Sequence, residues 1–375
     1  MRILPLWPWI LAWLPSALPA QVVIARRDLT FTSPDIPMTA VSLRVLPDRR
    51  FYLADSPASL YLVSADGRKA ESVMRRGSGP GEGESIRMAG WIGDSMSVYD
   101  VALQRLTVIP LRGEKVRTVL FRDACLGQTP WALLRDGRCL MAQRPVGPAA
   151  VESLPTTLVV GGNNARRQDT IVSIRMEHTF LTYRHADGQF SLPQPFSDDL
   201  LIGIAPTSDL AVVVNRRVAP SARNATFTLR FWRQRGGCGD EVAVPYAPLE
   251  LKRASRDSAL LALVAMATRA SPMSPVNADS IRRRMFVPKY WPPVASAVVS
   301  RDSLLWLDIR DSRPPAGALK PWRVLNAAGQ YQRTVGLPSG CRLGDAYKEF
   351  VWCIEKDEDD VPVLTRYILP LTGGQ

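Results

Sequence analysis

The chain is predicted to fold as an all-β, six-bladed propeller of four-stranded antiparallel blades, and three observations predict it. A strand–turn–strand unit is written twice near the N-terminus, it recurs until six copies can be counted, and a strand-forming segment at the start has no partner before it. The two clearest copies are Phe51-Tyr-Leu-Ala-Asp55 with Leu60-Tyr-Leu-Val63, and Met96-Ser-Val-Tyr-Asp100 with Leu106-Thr-Val-Ile109. Each ends a strand on Asp, breaks, starts a second strand and reaches a glycine turn at Gly67 or Gly113. Asp55 and Asp100 lie 45 residues apart, the length of a four-stranded blade rather than of a helical repeat.

Later copies follow in order. Cys139-Leu-Met-Ala-Gln143, Leu210-Ala-Val-Val-Val-Asn215, Leu304-Leu-Trp-Leu-Asp308 and Phe350-Val-Trp-Cys-Ile354 continue the register, with partner strands at Thr157 to Val160, Thr226 to Trp232, Trp322 to Leu325 and Leu364 to Leu369. The polar residue closing each strand, from Asp55 to Glu355, reads first as a turn cap, because its side chain can accept hydrogen bonds from the amides that follow. A ring must join its last blade to its first. Val22 to Ala25, or Leu29 to Phe31, is therefore expected to complete the blade of Phe350 to Ile354.

The spacing stretches after Gln143 and again after Asn215, so the later blades carry insertions. One insertion, about 254–286, has helical periodicity from Ser255 to Arg269, with Leu260, Leu263, Val264 and Ala267 on one face and Asp257 as a candidate cap. A second short helix is expected from Ala278 to Arg284, ending before Pro288. Segments this long lie on a face of the disc and suit a lid or a partner surface.

Arg2, an apolar run from Ile3 to Leu14, and Pro15-Ser-Ala-Leu-Pro-Ala20 have the layout of a secretory signal peptide, so residues 1–20 are read as a leader and 21–375 as a single domain, periplasmic or secreted. The formal charge of +12 would suit an anionic partner, but the arginine pairs are scattered and nucleic acid sits badly with export. No stretch is apolar for long enough to span a membrane, and the chain is expected to be a monomer. Five cysteines in an exported chain make disulfides reasonable. Cys125 with Cys139 and Cys341 with Cys353 each flank a turn region, which leaves Cys238 over; the alternative is that Cys139 and Cys353 are small strand residues.

Several motifs mimic chemistry. Gly77-Ser-Gly-Pro-Gly-Glu-Gly83 lacks the free amides and lysine of a phosphate cradle and reads as a blade-to-blade connection. Gly93-Asp-Ser-Met96 resembles an esterase nucleophile block without its histidine base, and reads as a hairpin turn. The chain has two histidines, His178 and His185, too few for a zinc or iron centre built on several imidazoles.

The run Arg76-Gly-Ser-Gly-Pro-Gly-Glu82, with Val98-Tyr-Asp100, Val287-Pro-Lys-Tyr-Trp-Pro-Pro-Val294, Leu304-Leu-Trp-Leu-Asp308 and Val335-Gly-Leu-Pro338, resembles the bacterial six-bladed propellers related to NHL repeats. That resemblance implies a scaffold and no particular activity. The expected function is an exported, non-catalytic module that binds a protein, peptide or glycan on one face of the disc, without a cofactor. The alternative is a calcium-assisted hydrolase, lactonase or lyase with oxygen ligands in the channel, for which Asp100, Asn215, Asp308 and Asp345 are the residues to inspect. The binding surface is expected at Lys289, Tyr290 and Trp291, whose rings are fixed by flanking prolines ahead of an inner strand.

Overall fold

The computed structural model describes residues 22–31, 40–55, 58–92, 95–111, 116–125, 130–134, 136–143, 156–161, 168–174, 178–185, 188–217, 225–270, 276–311 and 318–370. The expected leader at 1–20 and the Gly113 turn lie outside them, as do the side chains of Asp55, Gln143 and His185.

Six four-stranded sheets form the ring. Blade 1 is Ala40–Val45, Phe51–Asp55, Ser59–Val63 and Ala70–Arg76. Blade 2 is Ile86–Ile92, Ser95–Asp100, Arg105–Pro110 and Arg117–Leu120. Blade 3 is Pro130–Leu133, Cys139–Gln143, Thr156–Gly161 and Asp169–Ile174. Blade 4 is Leu201–Ile204, Leu210–Asn215, Ala225–Arg233 and Gly237–Tyr246. Blade 5 is Val294–Val299, Leu305–Ile309, Leu319–Leu325 and Tyr331–Pro338. Blade 6 takes Arg342–Tyr347, Phe350–Lys356 and Pro362–Ile368 from the C-terminal end and Arg26–Phe31 from the N-terminal end.

Both expected closure segments are used, in different blades. Arg26–Phe31 runs antiparallel to Pro362–Ile368, with Phe31 opposite Leu364. Val22–Ile24 steps across to blade 5 and pairs in parallel with Tyr331–Pro338.

The second strands read as continuous apolar runs because both of their faces are buried against a neighbouring blade. Side chains alternate across a strand. In blade 1, Phe51 and Leu53 therefore face blade 6, while Tyr52 and Ala54 face blade 2. In blade 5, Leu305 and Leu307 face blade 4 and Trp306 faces blade 6. Each of the six blade–blade interfaces is its own apolar cluster. At roughly 25 cal/mol per Å² of apolar surface removed from water, these clusters supply the main drive for closing the ring.

A seventh cluster lies off the ring. A hairpin, Phe180–His185 with Gly188–Pro193, is inserted between blades 3 and 4. A long helix, Arg253–Ala270, and a short one, Ala278–Arg284, are inserted between blades 4 and 5. Leu181, Leu192 and Phe196 from the first insertion pack with Leu260, Leu263 and Ile281 from the second, so two segments distant in sequence build one cap. Both run from an outermost strand to the next innermost one, which puts them on the same side of the disc. The short helix starts where the Asn277 side chain accepts from Ser280 N at 2.9 Å, and ends on Arg282, Arg283 and Arg284, which suit the negative end of its dipole. Asp257 does not cap the long helix. It lies inside, one turn after Arg253, and pairs with it at 3.8 Å.

Candidate functional site

The two ends of the ring differ in how they treat the axis. At the end carrying the first hairpin turn of each blade, four blades are tied together. Trp91 N of blade 2 donates to Pro206 O of blade 4 at 2.9 Å. Arg301, at the blade 5 turn, donates to Val45 O of blade 1 at 3.2 Å and sets its guanidinium 5.4 Å from the Trp91 ring centre. Gly90 lets this happen. It has φ +125°, and a Cβ there would fall 2.0 Å from Ser208 Oγ, so this close approach admits no side chain.

Asp345 sits in the same region, fully buried. It accepts from Val45 N at 2.9 Å, across the blade 6 to blade 1 junction, and from Ala346 N at 2.8 Å. Burial pushes its carboxyl up to about 6, against the pull of Arg44, those two amides and Arg301. It is a clasp between the last blade and the first.

The other strand-end polar residues divide into caps and clamps. Asp100 is a cap, accepting from the amides of Glu84, Ser85, Ala102 and Leu103 at 2.6–3.2 Å. Asn215 accepts from Arg217 N at 3.1 Å. Asp308 instead pairs with Lys320 on the next strand, and Glu355 accepts from Tyr367 Oη at 2.7 Å. Burial, then that hydrogen bond, raises the Tyr367 phenol to about 12. Among the described residues, no three His, Cys, Asp or Glu side chains are grouped to hold a metal ion.

At the opposite end the cap stands off the disc and leaves an open cleft of about 700 Å³. Its outer wall is the long helix, through Ala254, Ser255, Ser258 and Ala262; small side chains here leave room for a guest. Its inner wall is blade 5, through Ile309, Pro321 and the charged group Asp308, Lys320 and Arg310. Phe196 and Trp291 close one end, edge to face at 5.1 Å. Arg310 lies over the Trp291 ring at 4.3 Å.

Trp291 is held by the backbone. Its N–H donates to Leu249 O at 2.9 Å, Leu251 N donates to Lys289 O at 3.0 Å, and Tyr290 bridges to Glu250. Trp291 is half-buried in the cap core and lines the cleft, whereas Lys289 is exposed with its ammonium 5.1 Å from the Tyr290 ring. Of the three expected surface residues, Trp291 reaches the cleft; Phe196, Arg310 and Lys320 complete it. Arg310 stands two residues after Asp308, and Lys320 is on the strand paired with that of Asp308. Phe196 has no repeat signal, because it follows the hairpin inserted between blades 3 and 4.

A polar network mounts the cap on blade 4. Arg217 donates to Asp199 at 2.7 Å, Thr179 Oγ donates to the same carboxylate, and His178 Nδ1 meets Asp198 at 2.8 Å while its ring stacks on Phe286. Arg216 donates to Asp199 O and to Val294 O at the head of blade 5. Burial, with a smaller contribution from the charge of Arg310, lowers its guanidinium to about 10 against the pull of Asp198 and Asp199.

The remaining motifs are structural. Arg105 clamps the glycine loop by donating to the carbonyls of Ser78, Gly79 and Glu82 at 2.8–2.9 Å, and Gly79 N donates to Glu82 at 2.9 Å. Ile92 and Ser95 are paired in blade 2, and Gly93 and Asp94 between them lie outside the described residues. Cys125 is bonded to Cys139 and Cys341 to Cys353, with Cα separations of 5.5 and 5.1 Å; Cys238 is a free, exposed thiol. No helix among the described residues is long and apolar enough to cross a membrane.

No family model and no curated protein matches the chain. Among solved structures it is similar to a candidate exported protein of Bacteroides fragilis, at 12% identity and TM-score 0.41, over 92% of this chain and 94% of that one. An oligogalacturonate lyase in complex with manganese aligns at 11% identity and TM-score 0.41, over 94% and 98%. YCF48 bound to D1 peptide aligns at 11% identity and TM-score 0.37, over 94% and 99%.

Proposed function

We propose that the chain is an exported, non-catalytic binding module, related to the NHL-repeat propellers, that takes a partner into the cleft between the cap and blade 5. The observation that carries this reading is the cleft itself. Two separate insertions cooperate to build it, it is open to the surface, and it combines an aromatic end with cations on one wall. Concave sites lined by apolar groups with a few placed charges are where ligands are held. Export is supported by the leader-like N-terminus and by two joined cysteine pairs, which suit an oxidising compartment.

Catalysis has less support. Ser255 and Ser258 line the cleft, whereas His178 lies elsewhere in the cap, against Asp198 and Phe286. The test compares wild type with Ser258→Trp, which fills the cleft from the exposed side of the long helix. Partner capture from envelope extract by crosslinking is expected to be lost with the melting temperature unchanged. Capture of the same partners by both proteins, or turnover of ester or lactone substrates that a calcium chelator abolishes, would count against the reading.

A further inference from the structure

We infer that the cap is a pH-sensitive lid: protonated His178 ties both insertions to the arginines of blade 4, and its deprotonation loosens the outer wall of the cleft.

Both insertions are gathered at this one imidazole. His178 stands where the chain enters the first insertion and Asp198 where it leaves, so the 2.8 Å contact of Nδ1 with Asp198 closes that neck across 20 residues. Thr179 Oγ repeats the closure on Asp199, and Gln194 N donates to Thr179 O at 3.0 Å. The face of the His178 ring lies on Phe286, where the second insertion leaves the short helix for blade 5, with ring centres 3.5 Å apart and planes within 7° of parallel. Gln194 fixes this stack by accepting from Phe286 N at 3.0 Å and donating to Arg284 O at 3.2 Å. The side chains of His178 and Asp198 are 28% and 23% exposed, so protons reach the pair from solvent.

The charges around the ring give the direction of the effect. Its own insertion presents Asp198 and Asp199, the strand end of blade 4 presents Arg216 and Arg217, and the short helix ends on Arg284, whose Nη1 donates to Thr182 O at 3.0 Å. Arg217 is 2.7 Å from Asp199 but 3.8 Å from Asp198, so His178 is the nearer of the two to Asp198. Arg216, lowered to about 10, keeps its charge at neutral pH. Histidine is the side chain whose ordinary range puts its charge change between about pH 5 and pH 8. Protonated, it turns the bond to Asp198 into a charge-assisted one and sets a cation against the Phe286 face. Deprotonated, it loses both additions. The cap core joins Leu181 and Leu192 of the hairpin to Leu260 and Leu263 of the long helix. A loosened neck therefore frees the outer wall of the cleft, and the lid is firmest on the acid side of that range.

The test is hydrogen exchange of the full chain, expressed as protection factors at about pH 5.5 and about pH 8. It needs no partner, so its outcome is separate from that of the binding-module reading. Protection in residues 180–185, 188–193, 253–270 and 278–284 is expected to fall roughly fivefold or more, relative to the blades, in wild type and in His185→Gln. His178→Gln keeps a hydrogen-bonding group without a titrating charge and should remove the step. If that variant unmounts the cap at both pH values, the proton spectrum of the wild type decides. The chain has two histidines, and the imidazole C2 proton missing from His178→Gln must titrate with the same midpoint as cap protection. Cap protection indifferent to pH, a step retained in His178→Gln or lost in His185→Gln, or a C2 proton with a different midpoint would overturn the inference.

Discussion

The end of the ring tied by Trp91, Arg301 and Asp345 and the end carrying the cap use the same kinds of residue to opposite effect. At the tied end, Arg301 lies over the Trp91 ring and reaches the Val45 carbonyl, Asp345 takes the Val45 amide, and glycine removes even a methyl group from the contact. At the cap end, Trp291, Arg310 and Asp308 stand around an open space. The difference teaches that residue type does not mark a site here. What marks it is whether neighbouring blades or an insertion supply the opposing wall.

The sharpest test of that contrast is truncation on both sides. Trp91→Ala removes a side chain 3% exposed that packs on Tyr52, and should cost roughly 3–5 kcal/mol in denaturant unfolding of the whole ring. Leu263→Ala in the cap core should cost about 2–4 kcal/mol. This second loss should appear as faster hydrogen exchange in residues 180–193 and 253–284 while blade amides stay protected. Uniform acceleration through the blades would show that cap and ring are one cooperative unit.

Reduction probes the ring alone. The bridges close separations of 14 and 12 residues, and each is expected to contribute about 3 kcal/mol by restricting the unfolded chain. Peptide mapping without reductant should recover Cys125 with Cys139 and Cys341 with Cys353, and Cys238 as a thiol. Five free thiols would remove the bridges from the account.

Asp345 gives the tied end a pH signature. Its folded value of about 6 lies above the ordinary 3.8, so the folded state binds more protons between those values and stability falls as pH rises through that window. The change is of order 2–3 kcal/mol. Asp345→Asn should flatten the melting temperature between about pH 4 and pH 6, and an unchanged slope would mean that another group titrates. The smallest effect belongs to Lys289. Its exposed contact with Tyr290 predicts that Lys289→Ala changes stability by no more than about 0.5–1 kcal/mol.

The blades were legible because a doubly buried strand leaves an unbroken apolar run between turn residues, as at Leu305 to Asp308. The long helix was legible from Leu260, Leu263 and Ala267 on one face. The hairpin of Phe180–His185 and Gly188–Pro193 was not, since an insertion follows no blade repeat and its apolar residues face a helix far away in sequence. The caps of Asp100 and Asn215 followed from local turn chemistry. The roles of Asp308 and Glu355 did not, because their partners Lys320 and Tyr367 are brought alongside by strand pairing and have no local signal.

The placement of Arg26–Phe31 in blade 6 fixes the order in which the molecule can be completed. Arg366 grips Asp28 at 2.6 Å across 338 residues of sequence, and Phe31 belongs to the same cluster as Phe350 and Trp352. Loop closure on that scale is entropically expensive and comes after local contacts. Blades 1 to 5 have every one of their strands before the last blade is synthesised, but the first and sixth share an interface that cannot exist until nearly the whole chain has emerged. During synthesis the ring is an open arc with two apolar ends, and the N-terminal strand waits as the latch that makes it a circle.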